Sequence, residues 1–202
     1  MKAKEEQSPW GLIFLLIGAG ILSAFQVGKV PPVLSDIRID LAISLFYSGW
    51  ILSIFSLTGL LLGTFTGAIA DAIGHRRLML TGLVFQIAGC FMGSFTHSFY
   101  GLLASRFLEG AGFLAVIIST PTLIFQVVKS KDMAVALSIW TCYIPAGVSL
   151  MMVLLPFILL GTDWKGLWQI NAVILMAYTL LLAKKTSHIK FMNPATSVTL
   201  KK

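Results

Sequence analysis

The chain has 202 residues, of which 57 % are apolar and 11 % charged, with a formal charge of +7 and a mean hydropathy of +0.90. Water-soluble domains carry about 25 % charge because their surface must be wetted. That composition excludes a soluble domain, a disordered chain, a collagen-like repeat and a coiled coil, and it leaves an integral membrane protein. The basic residues sit in short clusters between apolar runs, without the interleaved aromatics of a nucleic-acid surface, so no nucleic-acid partner is expected.

A helix needs about 20 apolar residues to cross a bilayer core of about 30 Å. Six segments meet that length: Trp10 to Leu34, Leu41 to Ala70, Leu78 to Phe95, Phe99 to Val128, Met133 to Leu160 and Gly166 to Ala183. The expected fold class is therefore all-α, with six transmembrane helices. Residues 1–9 form a cytoplasmic N-terminus, 10–185 the membrane domain and 186–202 a short cytoplasmic tail. The first run is too long for the apolar region of a signal peptide, and Leu22 spoils the cleavage site at Ser23-Ala24, so it stays in the protein.

Late in this first span stands Gly28-Lys29-Val30-Pro31-Pro32. The two prolines remove amide donors and disturb the helix, and irregular backbone at membrane depth lines a cavity rather than lipid. Lys29 there has two readings: an ammonium placed to bind an anion, or a side chain snorkelling to the outer interface. In the second span Gly59, Gly63 and Gly67 recur every four residues, a smooth stripe suited to close helix packing.

The loop after that span reads Gly67-Ala-Ile-Ala-Asp71-Ala-Ile-Gly74-His75-Arg76-Arg77. Gly74 supplies a tight turn past a helix end. Asp71 sets a carboxylate at the membrane boundary, where the arginines can pair with it or cap nearby carbonyls. On physics alone the loop could be a basic turn anchoring two helices. Its spacing, glycine to aspartate to glycine to a basic cluster, resembles the signature between the second and third helices of the major facilitator superfamily. Gly67, Asp71, Gly74, Arg76 and Arg77 match that signature; Ala72 and His75 stand where the family usually has basic residues. The resemblance implies a conformational latch holding neighbouring helix ends together in one state of a transport cycle.

The fourth span carries Arg106-Phe-Leu-Glu109-Gly110-Ala-Gly112, which resembles the family's fourth-helix pattern, with Glu109 where glutamine is commoner. A charge at membrane depth rarely faces lipid, and residues three apart share a helix face and can pair. Arg106 and Glu109 are either a buried structural ion pair or a cavity-lining pair that couples protons or substrate. Gly110 and Gly112 allow another backbone to come close. The fifth span contains Pro145-Ala-Gly147 and Pro156, which should bend it, but it lacks the flanking glycines of the family's antiporters. The basic residue before proline in the first helix is similar to the cyanate-permease-like branch and favours an anionic solute.

Eleven basic residues fall on one side: Lys2, Lys4, Arg76, Arg77, Lys129, Lys131, Lys184, Lys185, Lys190, Lys201 and Lys202. Arg38 and Lys165 are the two on the other. This asymmetry places both termini in the cytoplasm, in a plasma membrane that the family likeness suggests is a bacterial inner membrane.

No catalytic or metal-binding motif appears, His75, His97 and His188 are far apart, and Cys90 and Cys142 lie in apolar runs, so no enzyme, metal or cofactor is expected. The family has twelve helices in two halves, each made of inverted three-helix repeats, and this chain resembles the amino-terminal half. The expected function is secondary transport of a small solute, with the lipid bilayer, the solute and a second six-helix half or a homodimer partner as its partners. The alternative is a non-transporting membrane scaffold or an inactive transporter remnant.

Overall fold

The computed structural model describes residues 8–187. The ends of the two terminal segments, including Lys2, Lys4, His188, Lys190, Lys201 and Lys202, lie outside the described residues. Eight α-helices account for nearly all of the described chain, and no strand occurs among those residues: α1 (Trp10–Gly28), α2 (Val30–Asp40), α3 (Leu45–Ile73), α4 (His75–Phe95), α5 (Phe99–Val127), α6 (Met133–Thr141), α7 (Tyr143–Leu159) and α8 (Trp164–Thr186).

Five of these, α1, α3, α4, α5 and α8, are individually long and apolar enough to cross a membrane. The pair α6–α7, bent by 40°, makes a sixth crossing when taken as one broken span. The architecture is therefore the six-helix arrangement expected from the hydropathy pattern.

Local chemistry sets the ends. Ser44, Ser98 and Asp163 each cap a helix start, their side-chain oxygens accepting the N–H of Tyr47 (3.5 Å), Gly101 (3.1 Å) and Gly166 (2.9 Å). These caps explain two shifts from the expected bounds. The second span begins at Leu45, after a turn with Ala42 at φ 50°, and the sixth at Trp164. Gly74 separates α3 from α4 at φ 91°, a conformation that a Cβ would strain, as the loop reading anticipated.

Proline placement explains the two broken spans. Pro31 and Pro32 cannot donate to the carbonyls one turn back, so α1 pauses at Lys29 and α2 resumes with the prolines in its first turn. The interruption is a single residue at φ −74°, ψ −27°, a smaller disturbance than expected. In the fifth span the break lies at Cys142, ahead of Pro145 rather than at it. Pro145 has no N–H for Thr141, so the helix ends before it and restarts with Pro145 in the first turn of α7. Pro156 stays inside α7.

The interior lies where α1, α4, α5 and α8 meet. There α4 packs on α5 and α8, and α1 packs on α5 and α7. Gly82 and Gly112 bring α4 and α5 together, because a Cβ on Gly112 would run into the Gly82 carbonyl. In contrast, α3 rests on the bundle with one edge. Its most apolar window is 17 % buried, against 56 % for α1, so most of its surface is free for another contact.

Candidate functional site

Ser23, Gln26 and Lys29 follow one another at three-residue spacing along α1 and therefore share a face. That face turns inward, and all three are fully buried. Opposite them, α4 supplies Gln86 and Cys90, and α5 supplies Arg106 and Glu109. The Gln86 amide donates to Ser23 Oγ at 3.0 Å, and the Cys90 thiol donates to Gln26 Oε1 at 3.4 Å.

Glu109 is the centre of the group. Its Oε1 lies 3.0 Å from Lys29 Nζ, and its Oε2 accepts from Arg106 Nη1. Arg106 Nη2 also donates to the Gln26 backbone carbonyl at 2.9 Å, which fastens α5 to α1. The second donor of Lys29 reaches Cys90 Sγ at 3.3 Å, and its ammonium stands 4.2 Å from the centre of the Trp168 ring on α8. The Arg106 guanidinium faces Phe55 of α3 at 4.7 Å. Such ring faces attract cations most strongly where water is excluded.

Lys29 and Glu109 are 0 % exposed and Arg106 is 2 % exposed. Two positive groups and one negative one leave an excess of a single positive charge, spread over two ring faces and a carbonyl dipole. Lys29 does not snorkel; it points into the bundle. Neither its ammonium nor the Arg106 guanidinium is open to a solute in this arrangement. The spacing of Arg106 and Glu109 foretold their pairing, but the third member was not legible, since its partner lies 80 residues away. Gln26, Cys90 and Trp168 were also missed as members of the cluster. The three-residue polar periodicity of Ser23, Gln26 and Lys29 was the available signal.

In the loop between α3 and α4, Asp71 and Arg76 take separate partners. Asp71 is 68 % exposed, and its carboxylate lies 3.8 Å from the His75 ring nitrogen Nε2. Arg76 reaches across to the end of α8, where Nε donates to Thr186 Oγ1 at 3.0 Å and Nη2 to the Ala183 carbonyl at 3.1 Å. Of the two roles open to the arginines, Arg76 takes carbonyl capping. Arg77 is exposed.

The glycines divide. A Cβ on Gly110 would lie 3.2 Å from the Phe55 carbonyl and from Thr58, and one on Gly112 would strike α4, so both make close helix contacts. Gly59, Gly63 and Gly67 meet nothing within 4 Å. Gly59, Gly63 and Gly67 are half-buried, and within the described chain no other helix closes onto their stripe. Cys90 and Cys142 are both free thiols, the first buried and the second exposed. Among the described residues, no group of three or more His, Cys, Asp or Glu side chains could hold a metal ion.

A profile of the Major Facilitator Superfamily matches residues 16–195. The chain belongs to the Major Facilitator Superfamily. This is a family of membrane transporters, so the chain is an integral, multi-pass transporter-family protein rather than an enzyme, in a lipid environment.

Similar proteins include the probable actinorhodin transporter of Streptomyces coelicolor, 28 % identical over 181 residues that cover 85 % of this chain and 31 % of that one. The D-xylose transporter of Levilactobacillus brevis is 22 % identical over 131 residues, 65 % of this chain and 29 % of its own length. The quinolone resistance protein NorA of Staphylococcus aureus is 30 % identical over 98 residues, 48 % of this chain and 25 % of NorA.

Among solved structures, a bacterial homologue of the human lysosomal transporter Spinster, inward-facing and unoccupied, superposes with a TM-score of 0.74. It is 15 % identical and covers 88 % of this chain and 43 % of that one, a likeness of fold. The chain thus spans less than half the length of each of these proteins.

Proposed function

We propose that the chain acts as the amino-terminal half of a secondary transporter of the major facilitator type, moving a small solute by alternating access. Residues 10–185 form the membrane domain, and both termini face the cytoplasm of a bacterial inner membrane. A second six-helix half, on the same chain or a separate one, closes the solute path.

The observation that carries this reading is the bare side of α3. A helix of crossing length with an open stripe at Gly59, Gly63 and Gly67 is built for backbone-close contact with something outside the described bundle. Exposed Leu60, Leu61 and Phe65 on α3, with Leu150, Val153 and Phe157 on α7, extend the apolar surface open to such a contact. The basic loop residues Arg76, Arg77, Lys129 and Lys131 support the orientation.

In this reading the Lys29–Glu109–Arg106 cluster joins the first three-helix repeat to the second, so that the half moves as one body. Asp71 is the exposed member of the latch, free to engage the other half. Proteoliposome flux tests the proposal. The purified chain alone should show no saturable uptake, and co-reconstitution with a second six-helix half should restore it. Robust saturable flux without any partner half, or none after verified assembly, would overturn it. The scaffold reading is favoured by one feature, a charge cluster whose three ions pair with one another within the chain, and the same flux measurement separates the two.

A further inference from the structure

The close contact of α4 with α5 repeats along both helices. A Cβ on Gly89 would stand 2.9 Å from the Ser105 carbonyl oxygen, and one on Gly82 would stand 2.6 Å from that of Gly112. These rungs are one heptad apart on each helix, and residues so spaced share a face. One further heptad brings His75 and Ser119 to the same level of the contact. The helices still touch at this depth, since Thr120 Oγ1 lies 3.7 Å from the Met79 sulfur. His75 is one turn from Met79, and Ser119 adjoins Thr120.

Both residues are buried, His75 at 8 % exposure and Ser119 at 0 %. Each holds a polar atom without a partner among the described residues, His75 Nδ1 and Ser119 Oγ. Thr58, Thr66, Thr120 and Thr179 all return the hydroxyl to the carbonyl four residues back, the ordinary resort of a hydroxyl in an apolar helix. Ser119 does not, and an unbonded hydroxyl so deeply buried is costly. The other ring nitrogen of His75, Nε2, lies 3.8 Å from Asp71 Oδ1, a small side-chain rotation short of a hydrogen bond. The ring thus has one nitrogen near the exposed carboxylate of α3 and the other sealed from solvent.

We propose that Ser119, His75 and Asp71 form a hydrogen-bond relay. Ser119 Oγ donates to His75 Nδ1, which fixes the Nε2–H tautomer and leaves Nε2 to donate to the Asp71 carboxylate. His75 is then a positioning residue: it aims the latch carboxylate, and Ser119 aims His75. The relay rests on the latch reading of Asp71 and deepens it. A neutral imidazole donates at one nitrogen and accepts at the other, so one interior hydrogen bond decides what the outer nitrogen can do. A basic side chain at this position could pair with Asp71 but would have no acceptor for the Ser119 hydroxyl. Histidine serves both.

Nitrogen NMR of the full chain, labelled at histidine and held in lipid nanodiscs at mildly alkaline pH, reads the tautomer directly. The His75 signals are identified by their loss in His75→Gln. A single Nε2–H form is expected, with the Nδ1 signal of a hydrogen-bonded acceptor. Ser119→Ala should move that signal downfield, toward an unbonded nitrogen, whereas Ser119→Thr keeps the hydroxyl and should preserve it. An Nδ1–H form, or an Nδ1 signal indifferent to Ser119→Ala, would overturn the relay. Uptake by an assembled transporter adds a second readout. Ser119→Ala should slow it about fivefold, the scale of one lost hydrogen bond, and Ser119→Thr should not. Uptake that falls in Asp71→Ala yet is unchanged in Ser119→Ala would also overturn the positioning role. A relay intact by NMR, with uptake indifferent to Asp71→Ala, would instead count against the latch reading alone.

Discussion

Lys29 Nζ and Glu109 Oε1 lie 3.0 Å apart although 80 residues separate them in sequence, and both side chains are wholly buried. Neither charge could be held at membrane depth alone. Their meeting, with Arg106 on the other carboxylate oxygen, fixes α1 against α5 and draws α4 and α8 in through Cys90 and Trp168.

The charge count predicts an asymmetry between two substitutions. Glu109→Gln leaves two buried cations with no anion and should destabilise the chain by about 3–5 kcal/mol. Lys29→Met leaves Arg106 and Glu109 as a balanced pair and should cost clearly less. Thermal unfolding of the purified chain in detergent checks this. A melting temperature lowered equally by both would mean that the excess positive charge has no energetic consequence.

Glycine positions should separate folding from assembly. Gly112→Leu forces a side chain into the α4 backbone and should prevent a well-folded chain. Gly63→Leu points into open space and should leave thermal stability within about 0.5 kcal/mol. The same change should weaken association with a second half, measured by co-purification. Intact association in Gly63→Leu would place the partner surface elsewhere.

Within the loop, Arg76 and Asp71 should behave differently. Arg76→Ala frees the Ala183 carbonyl and the Thr186 hydroxyl, a loss of about 1.5–3 kcal/mol for hydrogen bonds from a charged donor. Amide exchange should rise over the last turn of α8. Asp71→Ala touches only a long contact to His75 and should spare stability, yet abolish uptake by an assembled transporter. Normal uptake in Asp71→Ala would remove the latch role.

On the other face of the membrane, Lys165 donates to Asp40 at 2.8 Å and holds its carboxyl below the usual value of 3.8. A depressed folded value means that the pair stabilises above the unfolded carboxylate range and is lost as pH falls through the folded one. Because Asp40 is exposed, the effect is under about 1 kcal/mol and screened by salt. Lys165→Gln should therefore lower stability slightly at neutral pH, with the difference from the unsubstituted chain closing below the ordinary Asp range.

The spans, the turn at Gly74 and the pairing of Arg106 with Glu109 were legible because each depends on near neighbours in sequence. Hydrophobic length decides a crossing, a missing Cβ decides a turn, and three residues of helix decide a shared face. The prolines foretold both interruptions, but not that one would be a single residue at Lys29 and the other would fall ahead of Pro145 at Cys142. Those outcomes depend on which carbonyl loses its donor and on what neighbouring helices tolerate.

Sequence by itself determined the membrane class, the six crossings, the basic asymmetry of the loops and the superfamily, since all four are properties of one-dimensional pattern. Tertiary structure decided which charges meet, that Lys29 turns inward to Glu109, and that Gly110 packs while Gly59 and Gly63 stay open. The physical reason is that a lone charge or a glycine is compatible with several environments, and only helices brought together from distant parts of the chain choose among them.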